Sequence, residues 1–200
     1  LTQKLAYQAA HDALTGLLNR DEFESRLKKI LASVREGVPH ALLYLDLDQF
    51  KVVNDTCGHD AGDELLRQVT ALLNAKLRTR DTLARLGGDE FGIILEHCPQ
   101  KEALRVAHAI REMVQDFRYQ WQDKIFTIGV SIGLCSIKRS NESMSNVLSA
   151  ADSACYAAKE SGRNRYCNGE RLAEQNRTEN KVNRYGNRNM PGCIKEYQIL

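Results

Sequence analysis

TLARLGGDEFGIIL, residues 82–95, reads as strand, turn, strand: two short runs rich in apolar residues flank Gly87-Gly88-Asp89-Glu90, a compact hairpin turn. The paired glycines permit positive φ and a close approach of backbone to a ligand. Asp89 and Glu90 then stand at the tip of the hairpin. Taken singly, such acids are ordinary solvated turn residues, so their meaning depends on what the fold places beside them.

Upstream, ALLYLDL at residues 41–47 is short, nearly continuous in apolar residues and bounded by breakers, the signature of a strand covered on both faces. Asp46 and Asp48 close it. Carboxylates at the end of a buried strand lose hydration unless a cation or a helix N-terminus compensates. If this strand neighbours the hairpin, Asp46 and Asp89 meet at one end of the sheet. Two hard oxygen ligands then face one pocket suited to Mg²⁺, with Mn²⁺ as a substitute. Mg²⁺ keeps few protein ligands and completes its shell with water and phosphate oxygens, which points to a nucleoside triphosphate.

Around this pair, helix and strand alternate. Leu1, Leu5 and Gln8 lie at helical spacing, and residues 1–10 read as the end of an upstream signalling helix or a linker. A helix is expected over 21–35, with Phe23, Leu27, Ile30 and Leu31 on one face, then a short helical piece over 49–53 and a longer helix over 60–77. After the hairpin come a helix over 102–117, a strand over 126–137, a helix over 143–161 and a short strand near 165–167. The order, roughly βααββαβαβ, fits an α/β (α+β) sandwich with a central mixed, mostly antiparallel sheet flanked by helices. Residues 11–167 read as one domain, and the asparagine-rich stretch 168–200, lacking an apolar period, as a polar linker or tail.

Composition narrows the function classes. Hydrophobic residues are 42% and charged residues 27% of 200, which is ordinary for a globular domain. A net charge of +2 is no electrostatic footprint for a nucleic-acid binder, so an anionic ligand must be held locally. No run approaches a membrane span, and no membrane contact is expected of this segment. Cys57, Cys98, Cys135, Cys155, Cys167 and Cys193 form no CxxC pair, which argues for reduced thiols and a cytoplasmic setting. The start at Leu1 suggests a segment of a longer protein.

Several blocks together resemble the GGDEF family of diguanylate cyclases. They are DALTGLLNR (12–20), LDLDQFKVVNDTCGHDAGDELL (45–66), RLGGDEF (85–91), SIG (131–133) and AADSACYAAKESGRNR (150–165), in the family's order. The five letters GGDEF alone are weak; the ordered set is specific. The resemblance implies a fold similar to the palm of nucleotidyl cyclases and a nucleotidyltransferase reaction. In it, two GTP molecules are condensed into cyclic di-GMP, with two pyrophosphates released. Each 3′-hydroxyl attacks the α-phosphate of the other GTP, so a second copy of the chain is required.

Residue by residue, the resemblance implies Asp46 and Asp89 as metal ligands, with the Leu47 carbonyl assisting. Glu90 is a second acid for metal binding or for deprotonating the 3′-hydroxyl. Asn54 and Asp63 match the guanine readers; a carboxylate accepts from guanine N–H donors that adenine lacks. Lys159 and Arg163, four apart and expected on one helix face or its end, match the basic pair at the terminal phosphates. Gly88 gives the turn backbone access to ribose and α-phosphate. Arg78 and Asp81 match the RxxD product-inhibition site for cyclic di-GMP. Ala109 stands where relatives carry another arginine for that site, with Arg105 and Arg111 nearby. His59 is expected as a backbone-bonded turn residue rather than a base. The competing reading is a non-catalytic GTP-binding module regulating an adjacent EAL phosphodiesterase domain; a polymerase is disfavoured because no basic groove is visible.

Overall fold

The computed structural model describes residues 2–34, 37–138 and 143–170. Leu1, Arg35 and the stretch 171–200 lie outside the described residues. Its elements run α1 (Thr2–Ala10), α2 (Arg20–Ser33), β1 (His40–Asp48), α3 (Phe50–Cys57), α4 (His59–Lys76), β2 (Thr82–Gly87), β3 (Glu90–Leu95), α5 (Gln100–Asp116), β4 (Arg118–Trp121), β5 (Lys124–Thr127), β6 (Gly129–Ile137), α6 (Met144–Glu160) and β7 (Tyr166–Asn168).

All nine residues of β1 are buried, which explains its central place. The sheet order is β2-β3-β1-β6-β7, antiparallel throughout except for the β6–β7 pair. Side chains alternate across a strand, and β1 divides its residues accordingly. Leu43, Leu45 and Leu47 join Leu65, Leu66 and Val69 of α4 and Ala107, Ile110 and Val114 of α5 on one face. Leu42 and Tyr44 join Phe23, Leu27 and Leu31 of α2 and Val147, Ala151 and Cys155 of α6 on the other. Each fully buried Leu, Ile or Phe contributes about 1.5–3 kcal/mol, so the two helical layers fix the register of β1 from both sides. The expected sandwich with a mostly antiparallel sheet is what the chain forms.

Three details differ from the sequence reading. The strand expected over 126–137 is two strands, and β5 turns back on β4, a strand the sequence reading did not contain. Tyr119 of β4 is wholly buried and donates to the Ala61 carbonyl at 2.6 Å, tying this hairpin to α4. The short helix after β1 runs on to Cys57. Finally, β7 reaches Asn168, and Lys138 bonds Glu170 at 3.2 Å, so ordered contacts pass the residue where a tail was expected to begin. Among the described residues no helix is long and apolar enough to cross a membrane.

Candidate functional site

Antiparallel pairing sets the site. Asp46 lies opposite Glu90 across β1–β3, and the Leu47 amide donates to the Asp89 carbonyl at 3.2 Å. The hairpin tip is therefore held against the end of β1, which meets the condition on which the sequence brought Asp46 and Asp89 together. Gly87 and Gly88 have φ of 150° and 50°, and a Cβ on either would meet nothing within 4 Å. These glycines serve the backbone conformation and leave open space above the turn.

Asp46, 8% exposed, points to the face covered by α6. There Lys159 Nζ pairs with Asp46 Oδ2 at 2.5 Å. Burial, and then the nearby Asp89 and Asp48 charges, push the Asp46 carboxyl above its usual range although the Lys159 bond opposes this. Burial pushes Asp89 up as well, with Glu90 adding repulsion. Burial works against the Lys159 ammonium, yet its bond to Asp46 wins and raises its proton affinity. Both partners hold protons more firmly, Asp46 through burial and then neighbouring carboxylates, and Lys159 through its bond to Asp46. The cluster is short of positive charge.

Glu90 is held differently. Arg20 approaches it at 3.5 Å while donating its Nε to the Leu86 carbonyl at 3.0 Å, and Tyr44 hydrogen-bonds it from β1. Burial and the Glu90 charge push the Tyr44 phenol well up, so it remains a donor. Arg85 donates its Nε to the Gly88 carbonyl at 3.0 Å and its terminal nitrogen to both Asp12 oxygens at 3.2 Å. Asp12 also accepts from the Thr15 amide and hydroxyl at 2.9 and 2.7 Å. The turn after α1 is thereby tied to the Gly-Gly turn. Sequence reading assigned no role to Arg20, Tyr44 or Arg85; the blocks containing Arg20 and Arg85 were the only signal.

The remaining residues fall in neighbouring elements. Asn54 sits on α3 with its Oδ1 buried against Gly62 and without a partner, and half-buried Asp63 follows Gly62 on α4. A buried orphan acceptor is costly alone and suits a site completed by a ligand donor. Arg163 does not share a helix face with Lys159: α6 ends at Glu160, and Arg163 sits in the following turn with φ 60°. Asp81 accepts from the Arg78 amide at 2.9 Å beside a cavity of about 420 Å³ that Arg26 and Asn74 also line. Arg105 pairs with Glu102, and Arg111 with Gln115 and Glu112. His59 is exposed at the first position of α4, outside the carboxylate cluster.

The donor set fits a hard divalent cation: buried Asp46 and half-buried Asp89, both of raised proton affinity that an added positive charge would relieve, with Glu90 beside them. Among the described residues, no three acidic, histidine or cysteine side chains converge closely enough to hold an ion alone. Asp46, Asp89 and Glu90 would have to share it with other oxygens.

Comparison with known proteins bears on this arrangement. The family model described as "Diguanylate cyclase, GGDEF domain" matches residues 9–165. The probable diguanylate cyclase DgcE of Escherichia coli is 45% identical over 166 residues, 82% of this chain but 15% of that protein. The cyclic di-GMP phosphodiesterase PdeB of Shewanella oneidensis is 38% identical over 167 residues, again 82% of this chain and 19% of its own length. The chain thus spans less than a fifth of either relative. Among solved structures, the coiled coil and GGDEF domain of DgcB from Caulobacter crescentus, in complex with c-di-GMP, superposes with a TM-score of 0.78 at 30% identity, covering 84% of this chain and 89% of that one.

Proposed function

Because the chain belongs to the GGDEF family of diguanylate cyclase domains, we propose that it condenses two GTP molecules into cyclic di-GMP, in the cytoplasm, as a homodimer. The observation that carries this reading is the convergence of Asp46, Asp89, Glu90 and Lys159 at one end of the sheet, an electron-rich cluster with open space above Gly88.

In this reading Asp46, Asp89 and the Leu47 carbonyl hold Mg²⁺ or Mn²⁺, with Glu90 as a further oxygen ligand. That cation supplies neutralisation of the triphosphate and acidification of the attacking 3′-hydroxyl. Lys159 exchanges Asp46 for a terminal phosphate when nucleotide arrives, and Arg163 joins it from the turn after α6. Asn54 and Asp63 read the guanine edge, with the orphaned Asn54 oxygen accepting from a base N–H. Gly88 lets the ribose and α-phosphate approach the turn backbone. Arg20 and Tyr44 hold the Glu90 carboxylate on the Asp46 side of the turn. One chain presents one GTP, so ring closure requires a second copy facing it.

Arg78 and Asp81 beside the 420 Å³ cavity form the product-inhibition site. Ala109 supplies no guanidinium there, so inhibition is weaker than in a fully braced site. The catalytic domain runs from residue 11 through β7, with 1–10 as the end of a signalling helix and the polar stretch that follows as a linker. The second reading, a GTP-binding regulator of an EAL domain, draws its support from the likeness to a relative named as a phosphodiesterase.

The test is product analysis after incubation with GTP and Mg²⁺. The reading expects cyclic di-GMP and pyrophosphate in a ratio of about one to two, the stoichiometry of two phosphoryl displacements. Equal turnover of ATP would overturn the roles given to Asn54 and Asp63.

A further inference from the structure

We propose that Asp48 is a positioning residue that sets Arg163 for phosphate binding by clamping the turn after α6; this rests on the reading of Arg163 as a phosphate ligand.

Asp48 is the last residue of β1, two past Asp46 on the same face, and only 5% exposed. A carboxylate so buried needs fixed donors. Oδ1 accepts from the Ser131 hydroxyl at 2.9 Å and Oδ2 from the Asn164 amide at 2.8 Å. With each oxygen engaged, Asp48 is set apart from Asp46 as a structural acceptor rather than another cation ligand.

Its second bond reaches an unusual stretch of backbone. Arg163 and Asn164 have φ of 60° and 47°, consecutive left-handed residues that side chains with a Cβ disfavour. Such a pair persists where surroundings hold it. The Gly162 and Arg163 amides close onto the Lys159 and Ala158 carbonyls at 3.2 and 3.1 Å, and the Arg165 carbonyl accepts from the Ile132 amide at 2.8 Å. Between these backbone anchors, Asp48 supplies a side-chain bond to the turn. Gly129, opposite Asp48 across β1–β6, makes room: a Cβ there would lie 3.1 Å from both Asn164 Cβ and Asp48 Oδ2. The clamp brings the Arg163 backbone to the end of the sheet where Lys159 meets Asp46. Lys159 is placed by its helix, whereas the placing of Arg163 adds to these backbone bonds the side-chain bond of Asp48 to the next residue, Asn164.

The experiment measures affinity of the full chain for 3′-deoxy-GTP, which lacks the attacking hydroxyl, and for GMP, which lacks the terminal phosphates. Asp48→Ala is expected to weaken 3′-deoxy-GTP about tenfold, the worth of one charge-assisted contact, and to leave GMP unchanged. Asp48→Asn is expected to restore affinity, its carbonyl accepting from Asn164 and its amide donating to Ser131. In an Arg163→Ala background Asp48→Ala should have no further effect. Equal losses for both nucleotides, or Asp48→Asn failing like Asp48→Ala, would overturn the proposal. Hydrogen exchange of the Asn164 amide in the native protein gives a second readout that needs no variant: slow exchange supports the clamp, and rapid exchange refutes it. If Arg163→Ala alone leaves 3′-deoxy-GTP affinity intact, the phosphate role of Arg163 fails, and this proposal with it; slow Asn164 exchange would then identify the phosphate role, not the clamp, as the error.

Discussion

Lys159 Nζ lies 2.5 Å from Asp46 Oδ2, joining the last turn of α6 to the end of β1 across one face of the sheet. An ammonium on the carboxylate that would receive a metal offsets part of the negative charge of the ligand-free site. It also makes the lysine available for phosphate once another cation takes its place.

Replacing this lysine should therefore harm catalysis more than folding. Lys159→Met is expected to lower kcat/KM for GTP about a hundredfold, the scale for loss of one fixed charge in a transition-state site. The Lys159 side chain is 31% exposed, so the pair is partly screened and the change in melting temperature should be small. Steady-state kinetics and a thermal melt on the same sample decide the matter. A large stability loss with unchanged kcat/KM would assign the pair a structural task instead.

Asp89 should destabilise the fold at neutral pH. Burial, with Glu90 adding to it, raises its folded-state proton affinity above that of the unfolded chain. A raised pKa favours the fold fully below the unfolded value, and that contribution is lost as pH rises through the folded one. Asp89→Asn is thus expected to raise the melting temperature at pH 7.5 by roughly 2 °C, with the gap closing toward about pH 4. Melts across that range check the sign; a lower melting temperature at neutral pH would contradict it.

The Asp12–Arg85 link predicts coupling between the start of the domain and the turn. Burial raises the Asp12 carboxyl, but bonds from Thr15 and Arg85 outweigh it and leave the pKa lowered. A lowered pKa stabilises the fold above the unfolded value, and the benefit disappears as pH falls through the folded one. Asp12→Asn should cost about 1 kcal/mol near neutrality and less in acid. With Arg85 released, its hold on the Gly88 carbonyl loosens, and kcat should fall about tenfold, the scale for a small misplacement of a reacting site. Denaturant unfolding and kinetics test the two halves separately.

How far the sequence carried the fold depends on the distance over which each element is decided. β1, α4 and α5 were legible because their apolar runs and helical periods are local. β4 was not: in Arg118–Trp121 the fully buried Tyr119 is flanked by exposed Arg118 and Gln120, too short a pattern to separate from a loop. Within the site, Asp46, Asp89 and Glu90 were readable as acids at a strand end and a turn. Asp48 was visible, but its partners Ser131 and Asn164 stand 83 and 116 positions away, and only the closed sheet brings them to it. Of the two places open to Arg163 in the sequence, the helix face of Lys159 or the helix end, the structure takes the second, because the helix stops at Glu160 before a turn containing Gly162.

The cavity beside Arg78 and Asp81 predicts feedback. Arg78→Ala should raise the concentration of cyclic di-GMP needed for half-inhibition at least about tenfold, as expected when a guanidinium contact to a base is lost. Initial rates with added product measure this. Unchanged sensitivity would move the inhibitory site elsewhere.

The most direct test follows cyclic di-GMP formation from GTP and Mg²⁺ as chain concentration rises, for the unmodified chain beside Asp89→Ala. Specific activity is expected to climb with concentration, as two facing copies require, and the variant to give no product. Saturable GTP binding without cyclic di-GMP at any concentration, or equal product from Asp89→Ala, would contradict the cyclase reading.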